Sequence, residues 1–517
     1  MKLKKLLSLG LAMSMFVAGF PISANALDKI DKIQGADKYE TAGIIADKQS
    51  YTTAILINAD STMADGLSAS GLAGATNAPI LLTKKNNIPS ATLKRLEKAK
   101  KVYIIGGENS IDKYTETVLK GKGIEIKRLQ GSDRIKTSYN VAKEINSINK
   151  VNKVILTNAF KGEPDAMSIA SVAVRDKAPI VLTDGKSVPF NTTGIESYII
   201  GGTSSMSDSL VNDTNSIRLG GVDRYDTNKK IVNKFYNGAK EFYIASGTDL
   251  AYALVGSTIA KNTPIVLVDY GSSKEVLKDA TKITAIGAID SNIIQECLNI
   301  TNALLRDILG VWHDKDSYED FNFGITNNTI DGNSYDIISI DEKDKSVKIN
   351  VHYPDGDLQH LIKLENKNKL WFYTYNDING GFSGGTPFEK LYSFNNSDTI
   401  YKNSKYGFSL RIPKSWEGKY KINEYKDGDI SFNYYKNGKC YDNALCIETF
   451  DKNDYDEESF RLNGYTYIGT SKDKVFCCDL GGDPSVDALN DEAMLNEIGK
   501  MREVAADYVI NTFEIIK

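Results

Sequence analysis

The sequence predicts a multidomain chain: three tandem Rossmann-like α/β repeats, then an antiparallel β module, then a C-terminal α+β module. Three observations carry this expectation. One motif is written three times, as Gln34-Gly35-Ala36-Asp37-Lys38-Tyr39-Glu40-Thr41, Gln130-Gly131-Ser132-Asp133-Arg134-Ile135-Lys136-Thr137 and Gly220-Gly221-Val222-Asp223-Arg224-Tyr225-Asp226-Thr227. Short, wholly apolar strands alternate with helices in each copy, as in a parallel sheet covered on both faces. Beyond Ile300 the apolar pattern changes to a period of two, the mark of antiparallel strands.

Other landmarks recur in the same order. They are Met63-Ala64-Asp65-Gly66-Leu67-Ser68 and Glu163-Pro164-Asp165-Ala166-Met167-Ser168, then Ala78 to Thr83, Ala178 to Thr183 and Thr263 to Val268, then Tyr103 to Gly107 and Tyr198 to Gly202. The period is long for a solenoid, so each copy reads as a small domain. In the first copy Thr52–Ala59 is a strand and Ala64–Thr76 a helix of small residues. Ile80–Leu82 is a second strand, Ser90–Lys100 a helix behind a Ser N-cap, and Val102–Ile105 a strand stopped by Gly106-Gly107. The third copy is worn: Gly287 stands alone where the others have a pair, and Asp249 is one residue out of register. Terminal repeats are often atypical.

After Ile300, Ser346–Tyr353 alternates at period two, Pro354-Asp355-Gly356-Asp357 reads as a turn, and Leu361–Leu364 as the return strand. A further module begins near Tyr401, with strands at Phe408–Ile412, Ile430–Tyr435, Ala444–Phe450, Tyr465–Thr470 and Lys474–Asp479. It closes on a helix from Asp491 to Asn511, with Met494, Ile498, Met501, Val504, Ala505 and Val509 on one stripe. The expected divisions are 1–26, 27–125, 126–215, 216–300, 301–398 and 399–517. A chain of 517 residues needs several cores.

Lys2, Lys4 and Lys5, the apolar run Leu6–Phe20 and Ala24-Asn25-Ala26 read as a secretion signal cleaved before Leu27. The run is short for a membrane span, and no later segment reads as one. Lys+Arg 63 against Asp+Glu 67 leaves a net charge of −4, which excludes a basic nucleic-acid footprint. Most of the chain lacks cysteine, so this is no disulfide scaffold. Cys440 and Cys446 are read either as a pair across a short connection or as free thiols in a sheet.

The motifs admit two readings each. Gly-Gly at a strand end makes a tight turn or presents N–H groups to an anion. Asp37, Asp133 and Asp223 cap helices, with Lys38, Arg134 and Arg224 pairing locally, or those three cations line equivalent grooves for a repeating anionic ligand. Arg grips phosphate or carboxylate with two donors, Lys as a point charge. Asp65 and Asp165 read as helix caps. No phosphate-loop motif is present, so neither nucleotide hydrolysis nor a bound cofactor is expected.

Together, the Asp-Arg-Tyr-x-Thr, Asp-Ala-Leu-Ser-like, Pro-Ile-Leu-Leu-Thr and Ile-Ile-Gly-Gly series resembles the cell wall binding repeat 2 family of surface proteins from Gram-positive, clostridia-like bacteria. The resemblance covers about half the chain, and three copies are that family's usual arrangement. It implies a pseudo-threefold cluster of α/β units at the cell surface. It also implies non-covalent attachment to an anionic, phosphate-bearing wall polysaccharide or teichoic-acid-like polymer, with other surface-layer proteins as further partners. Carried over, the polymer-binding positions are Arg134, Arg224, Ile80, Leu81, Leu82, Ile180, Val181 and Leu182, with Lys38 standing where the first copy departs from Arg. That family pairs its anchor with a variable module, here Thr301–Lys517. Tyr401–Trp416 resembles a small exported α+β domain and implies no chemistry.

The C-terminal half offers no assembled catalytic or metal set. His313, His352 and His360 are the chain's histidines, and no H-E-x-x-H or G-x-S-x-G accompanies them. The cysteine-bearing module has no histidine to activate a thiol. The expected function is therefore a wall-anchored protein displaying a binding or structural module. The rival is a wall-anchored peptidoglycan- or glycan-cleaving enzyme, whose paired carboxylates composition alone does not reveal.

Overall fold

The computed structural model describes residues 27, 29–60, 63–314, 321–353, 356–376, 380–394, 398–426, 428–456, 465–471, 473–482 and 485–515. The expected secretion signal and the Pro354-Asp355 part of the predicted turn lie outside the described residues.

The first repeat runs through β1 (Asp31–Ile33), α1 (Lys38–Asp47), β2 (Thr53–Asn58), α2 (Ala69–Thr76), β3 (Ile80–Thr83), α3 (Ser90–Leu96), β4 (Lys101–Ile105), α4 (Lys113–Gly121) and β5 (Glu125–Leu129). The second follows with α5 (Arg134–Ile148), β6 (Lys153–Asn158), α6 (Glu163–Ser168), α7 (Ala170–Asp176), β7 (Ile180–Thr183), β8 (Glu196–Ile200), α8 (Asp208–Thr214) and β9 (Ile217–Leu219). The third comprises α9 (Arg224–Phe235), β10 (Glu241–Ser246), α10 (Ala251–Gly256), β11 (Ile265–Val268), β12 (Lys282–Ile286) and α11 (Ser291–Asn299). Pro89, not Ser90, occupies the N-cap of α3 and makes no side-chain cap.

Each repeat builds a four-stranded parallel sheet, in the orders β3-β2-β4-β5, β7-β6-β8-β9 and β1-β12-β10-β11. The strand before each motif thus pairs backwards. β5 belongs to the first sheet and β9 to the second, so sheet membership runs past the expected divisions at 125 and 215. β1 does the same around the ring and completes the third sheet, with Asp31 opposite Thr284.

The ring is also closed by helices. α2 packs on α5, α6 on α9, and α10 on α1. Small residues permit this: a Cβ on Gly74 would lie 2.0 Å from the Val174 carbonyl oxygen of α7. The central strands are apolar on both faces because both are covered, and Ile55, Leu56, Ile57, Ile80, Leu81 and Leu82 are fully buried.

After α12 (Ala303–Ile308), the expected antiparallel module is a closed barrel. Its strands are β13 (Gly310–Asp314), β14 (Phe321–Ile325), β15 (Thr329–Ile330), β16 (Asn333–Asp341), β17 (Ser346–Tyr353), β18 (Gly356–Asn366), β19 (Lys369–Asn376) and β20 (Gly381–Tyr392), with β13 pairing back to β20. Alternate residues Val347, Ile349 and Val351 fill the interior with Trp312, Phe323 and Phe388, giving a packed core rather than a pore. Among the described residues no helix is long and apolar enough to cross a membrane.

The last module holds β21 (Thr399–Asn403), β22 (Phe408–Ile412), β23 (Tyr420–Glu424), β24 (Ile430–Lys436), β25 (Lys439–Asp451), β26 (Thr466–Thr470), β27 (Lys474–Asp479), α13 (Val486–Leu489), α14 (Glu492–Val504) and β28 (Glu514–Ile515). α14 packs on β25 and buries Met494, Ile498 and Met501. Cys440 and Cys446 lie along the same strand, β25, and neither forms a disulfide. At about 3.3 Å per residue, that separation exceeds any disulfide's reach.

Buried and half-buried polar groups bind the three parts together. Lys274 and Glu296 of the third repeat form an ion pair, and Asn328 of the barrel donates to Glu296 at 3.1 Å. The Asn327 N–H reaches Glu514 at 3.3 Å, and the Thr329 hydroxyl donates to the Phe513 carbonyl at 2.8 Å. Lys402 Nζ lies 3.1 Å from Asp269.

Candidate functional site

Each motif is a self-closing turn between two sheets. It leaves the last strand of one sheet and becomes the first turn of the helix that covers the next. The hydroxyls of Thr41, Thr137 and Thr227 accept from the N–H groups of Gly35, Gly131 and Gly221 at 2.9, 3.0 and 3.0 Å. Asp37 accepts from the Glu40 N–H, Asp133 from Lys136, and Asp223 from Tyr225 and Asp226, each at 2.8 Å. The fixed spacing of Gly, Asp and Thr is therefore a capping device, which satisfies helix N–H groups that have no partner inside the helix.

The cation after each Asp reaches one equivalent place. Arg134 Nη1 donates to the Ala159 carbonyl at 2.9 Å and Arg224 Nη1 to the Gly247 carbonyl at 2.6 Å, while Lys38 Nζ donates to the Ala59 carbonyl. Each acceptor lies one residue past β6, β10 or β2. All three cations are half-buried. Arg134 also stands 3.7 Å from Glu163 and packs over Phe160, with the guanidinium carbon 5.5 Å from the ring centre. Phe160 itself is 66% exposed. Arg224 faces Asp165, whose carboxyl is pushed up to about 6 by burial, opposed by a hydrogen bond to Thr227 and by the Arg224 charge. One cation thus sits at the carboxyl end of the strand that follows each motif helix.

The strand positions behave differently. Ile80, Leu81, Leu82, Ile180, Val181 and Leu182 are all fully buried, so their side chains are out of a polymer's reach. Their strands are sheet edges stapled to the motif helices. The Leu182 N–H donates to Ser138 at 2.9 Å, and Asn228 bridges Ile265 and Leu267 at 3.0 Å each. Ile265, Val266 and Leu267 of the third copy are buried too.

The first glycine of each Gly-Gly pair makes a turn. Gly106 and Gly201 have φ of 113° and 127°, and their N–H groups are committed to Leu129 and Leu219 carbonyls at 2.9 and 3.0 Å. Asp65 makes no side-chain cap bond, and Asp165 lies inside the first turn of α6 rather than at its cap.

Two further cations beside the motifs escaped the sequence reading. Arg128 donates to the Gly106 carbonyl at 2.8 Å and to Glu116 at 2.6 Å; Arg218 donates to Gly201 at 3.0 Å and to Asp208 at 2.9 Å. Their signal was a basic residue two places before each motif, at Lys32, Arg128 and Arg218.

In the barrel, the three histidines stay apart in role. His352 is held between Asp357 at 2.9 Å and Asp336 at 3.1 Å, which raise its pKa. Burial pushes His360 down to about 4, against Tyr353 at 3.1 Å. His313 bonds Asn322 at 2.7 Å. Among the described residues no group of three or more His, Cys, Asp or Glu could hold a metal ion.

The cell wall binding domain 2 (CWB2) family model matches residues 32–116, 128–211 and 218–296. An amidase enhancer of Bacillus subtilis (strain 168) is 32% identical over 290 residues, 54% of this chain and 40% of that protein. The N-acetylmuramoyl-L-alanine amidase LytC of the same organism is 31% identical over 253 residues, 47% of this chain and 50% of that protein. The chain thus spans half or less of the length of these curated relatives. Among solved structures it is similar to Cwp8 from Clostridium difficile, with a TM-score of 0.48 and 33% identity over 53% of this chain and 52% of that one. It is also similar to Cwp6 from Clostridium difficile, with a TM-score of 0.49 and 28% identity over 52% and 47%.

Proposed function

The N-terminal half of this chain belongs to the cell wall binding domain 2 family, and from that premise we propose that its three repeats hold the protein non-covalently on an anionic, phosphate-bearing secondary polymer of the wall. The protein's place is outside the cell, at the wall. The finer reading concerns which groups grip the polymer.

One observation carries it: Lys38, Arg134 and Arg224 recur, half-buried, at the carboxyl ends of equivalent parallel strands. Ligands of open α/β sheets bind outside those ends. Each cation uses a donor on a main-chain carbonyl, and a guanidinium carries five in all, an ammonium three. The remaining donors are available to phosphate or carboxylate oxygens. The barrel and the last module, Thr301–Lys517, are then displayed from the wall in a binding or structural role, with other surface-layer proteins as candidate partners.

The test is co-sedimentation of the full chain with purified walls, before and after extraction of the secondary polymer. Binding is expected to be lost on extraction, competed by free polymer and weakened by salt. Equal retention on extracted walls would overturn the reading.

A further inference from the structure

Where the third repeat meets the barrel, the fold forms an open cavity of about 800 Å³. Its lining mixes carboxamides with aliphatic side chains in equal number. Asn292, Gln295 and Asn299 follow one another at intervals of three and four residues, so they share one face of α11, and Asn302, the N-cap of α12, adds a fourth carboxamide just past its end. Asn327 and Asn328, from the turn between β14 and β15, line the same space from the opposite side. Asn is a poor helix former, yet Asn292 and Asn299 both stand on this face of α11, whereas Asn302 caps α12 by accepting from the Leu305 N–H at 3.0 Å.

A carboxamide has two donors and an acceptor with two lone pairs. Gln295 donates to Asn299 at 2.8 Å and Asn328 to Glu296 at 3.1 Å, which orients both groups and leaves each with further valence. Leu298, Leu305 and Ile337 supply apolar surface between the amides. The charged lining residues are Asp336 and Glu342, and no Lys or Arg takes part. That sign is opposite to the one at the motif strand ends, and it disfavours a polyanion. The volume falls in the range of small-molecule sites, roughly 300–1,000 Å³.

We propose that this cavity is a second glycan site, taking an uncharged oligosaccharide segment. Its hydroxyl and acetamido groups would pair with the carboxamides, and its apolar ring faces would lie on Leu298 and Ile337. The site is distinct from the clefts proposed to grip the anionic polymer, and the two fail independently.

The experiment titrates the full chain with a tetramer of N-acetylglucosamine by calorimetry. Saturable one-to-one binding is expected. Gln295→Trp, placed at an exposed helix position, should fill the mouth and lower affinity at least tenfold, with an unchanged unfolding midpoint and unchanged wall co-sedimentation. If that variant shifts the midpoint, Gln295→Ala is expected to weaken binding several-fold without doing so. No saturable heat at millimolar tetramer, or identical titrations for the parent and both variants, would overturn the proposal. Equal retention on polymer-extracted walls with tetramer binding intact would sink the polymer reading instead.

Discussion

Lys274 and Glu296 form an ion pair sealed within the third repeat, their side chains 4% and 1% exposed. The ammonium also donates to the carbonyls of Asp269 at 2.8 Å and Ser272 at 3.0 Å, while Glu296 accepts from Asn328 across the barrel boundary. Removing one partner strands a buried charge. Lys274→Met is therefore expected to cost about 3–5 kcal/mol, and Lys274→Met/Glu296→Leu to recover most of it. Chemical denaturation of both variants checks this; equal losses would show that the pairing is not the cause.

Asp165 gives a pH dependence of definite sign. Its carboxyl, about 3.9 in an unfolded chain, is pushed up to about 6 by burial in the fold, despite Thr227 and Arg224. The folded state therefore holds the proton more tightly. The stability this lends is complete below about pH 4 and is lost as pH rises through about 6. Asp165→Asn should remove that slope and stabilise the protein at pH 7 by about 1–2 kcal/mol, allowing for partial exposure. Unfolding midpoints between pH 4 and 7 provide the measurement.

Gly74→Ala tests the centre of the ring. The new methyl would stand 2.0 Å from the Val174 carbonyl oxygen, which forces α2 and α7 apart. A loss of about 1–3 kcal/mol is expected. Thermal unfolding reads it, and an unchanged midpoint would mean the helices yield freely.

Arg134→Ala/Arg224→Ala should weaken wall co-sedimentation at least tenfold at low salt. Each cation is half-buried and donates to one main-chain carbonyl, at 2.9 or 2.6 Å, beside the acidic neighbours Glu163 and Asp165, so folding should survive. A smaller salt dependence in the variant, together with weaker binding, would separate an electrostatic role from a general loss of structure.

The repeat architecture was legible because its signals are local. Asp37, Asp133 and Asp223 cap helices with the partners their spacing predicts, and the doubly apolar strands are doubly covered. What escaped was non-local. Nothing near Asp31 reveals that its strand pairs with one around Thr284. Period-two alternation in Ser346–Tyr353 reports one buried face but not that the sheet closes into a barrel. The apolar triplet Ile80-Leu81-Leu82 reads the same whether it borders a groove or lies beneath one, and only burial places it beneath. The carboxamides of α11 and of the β14–β15 turn are far apart in sequence, so their shared cavity has no sequence signal at all.

The pairing of β1 with β12 also orders events during export. The first strand to emerge finds its partner only after the rest of the anchor has crossed, since Ile33 must wait for Ile286. Until then the third sheet has a raw edge, a ready template for a strand from another molecule. The anchor should therefore mature late, as a unit, and crowded secretion should favour copies that have traded their opening strands.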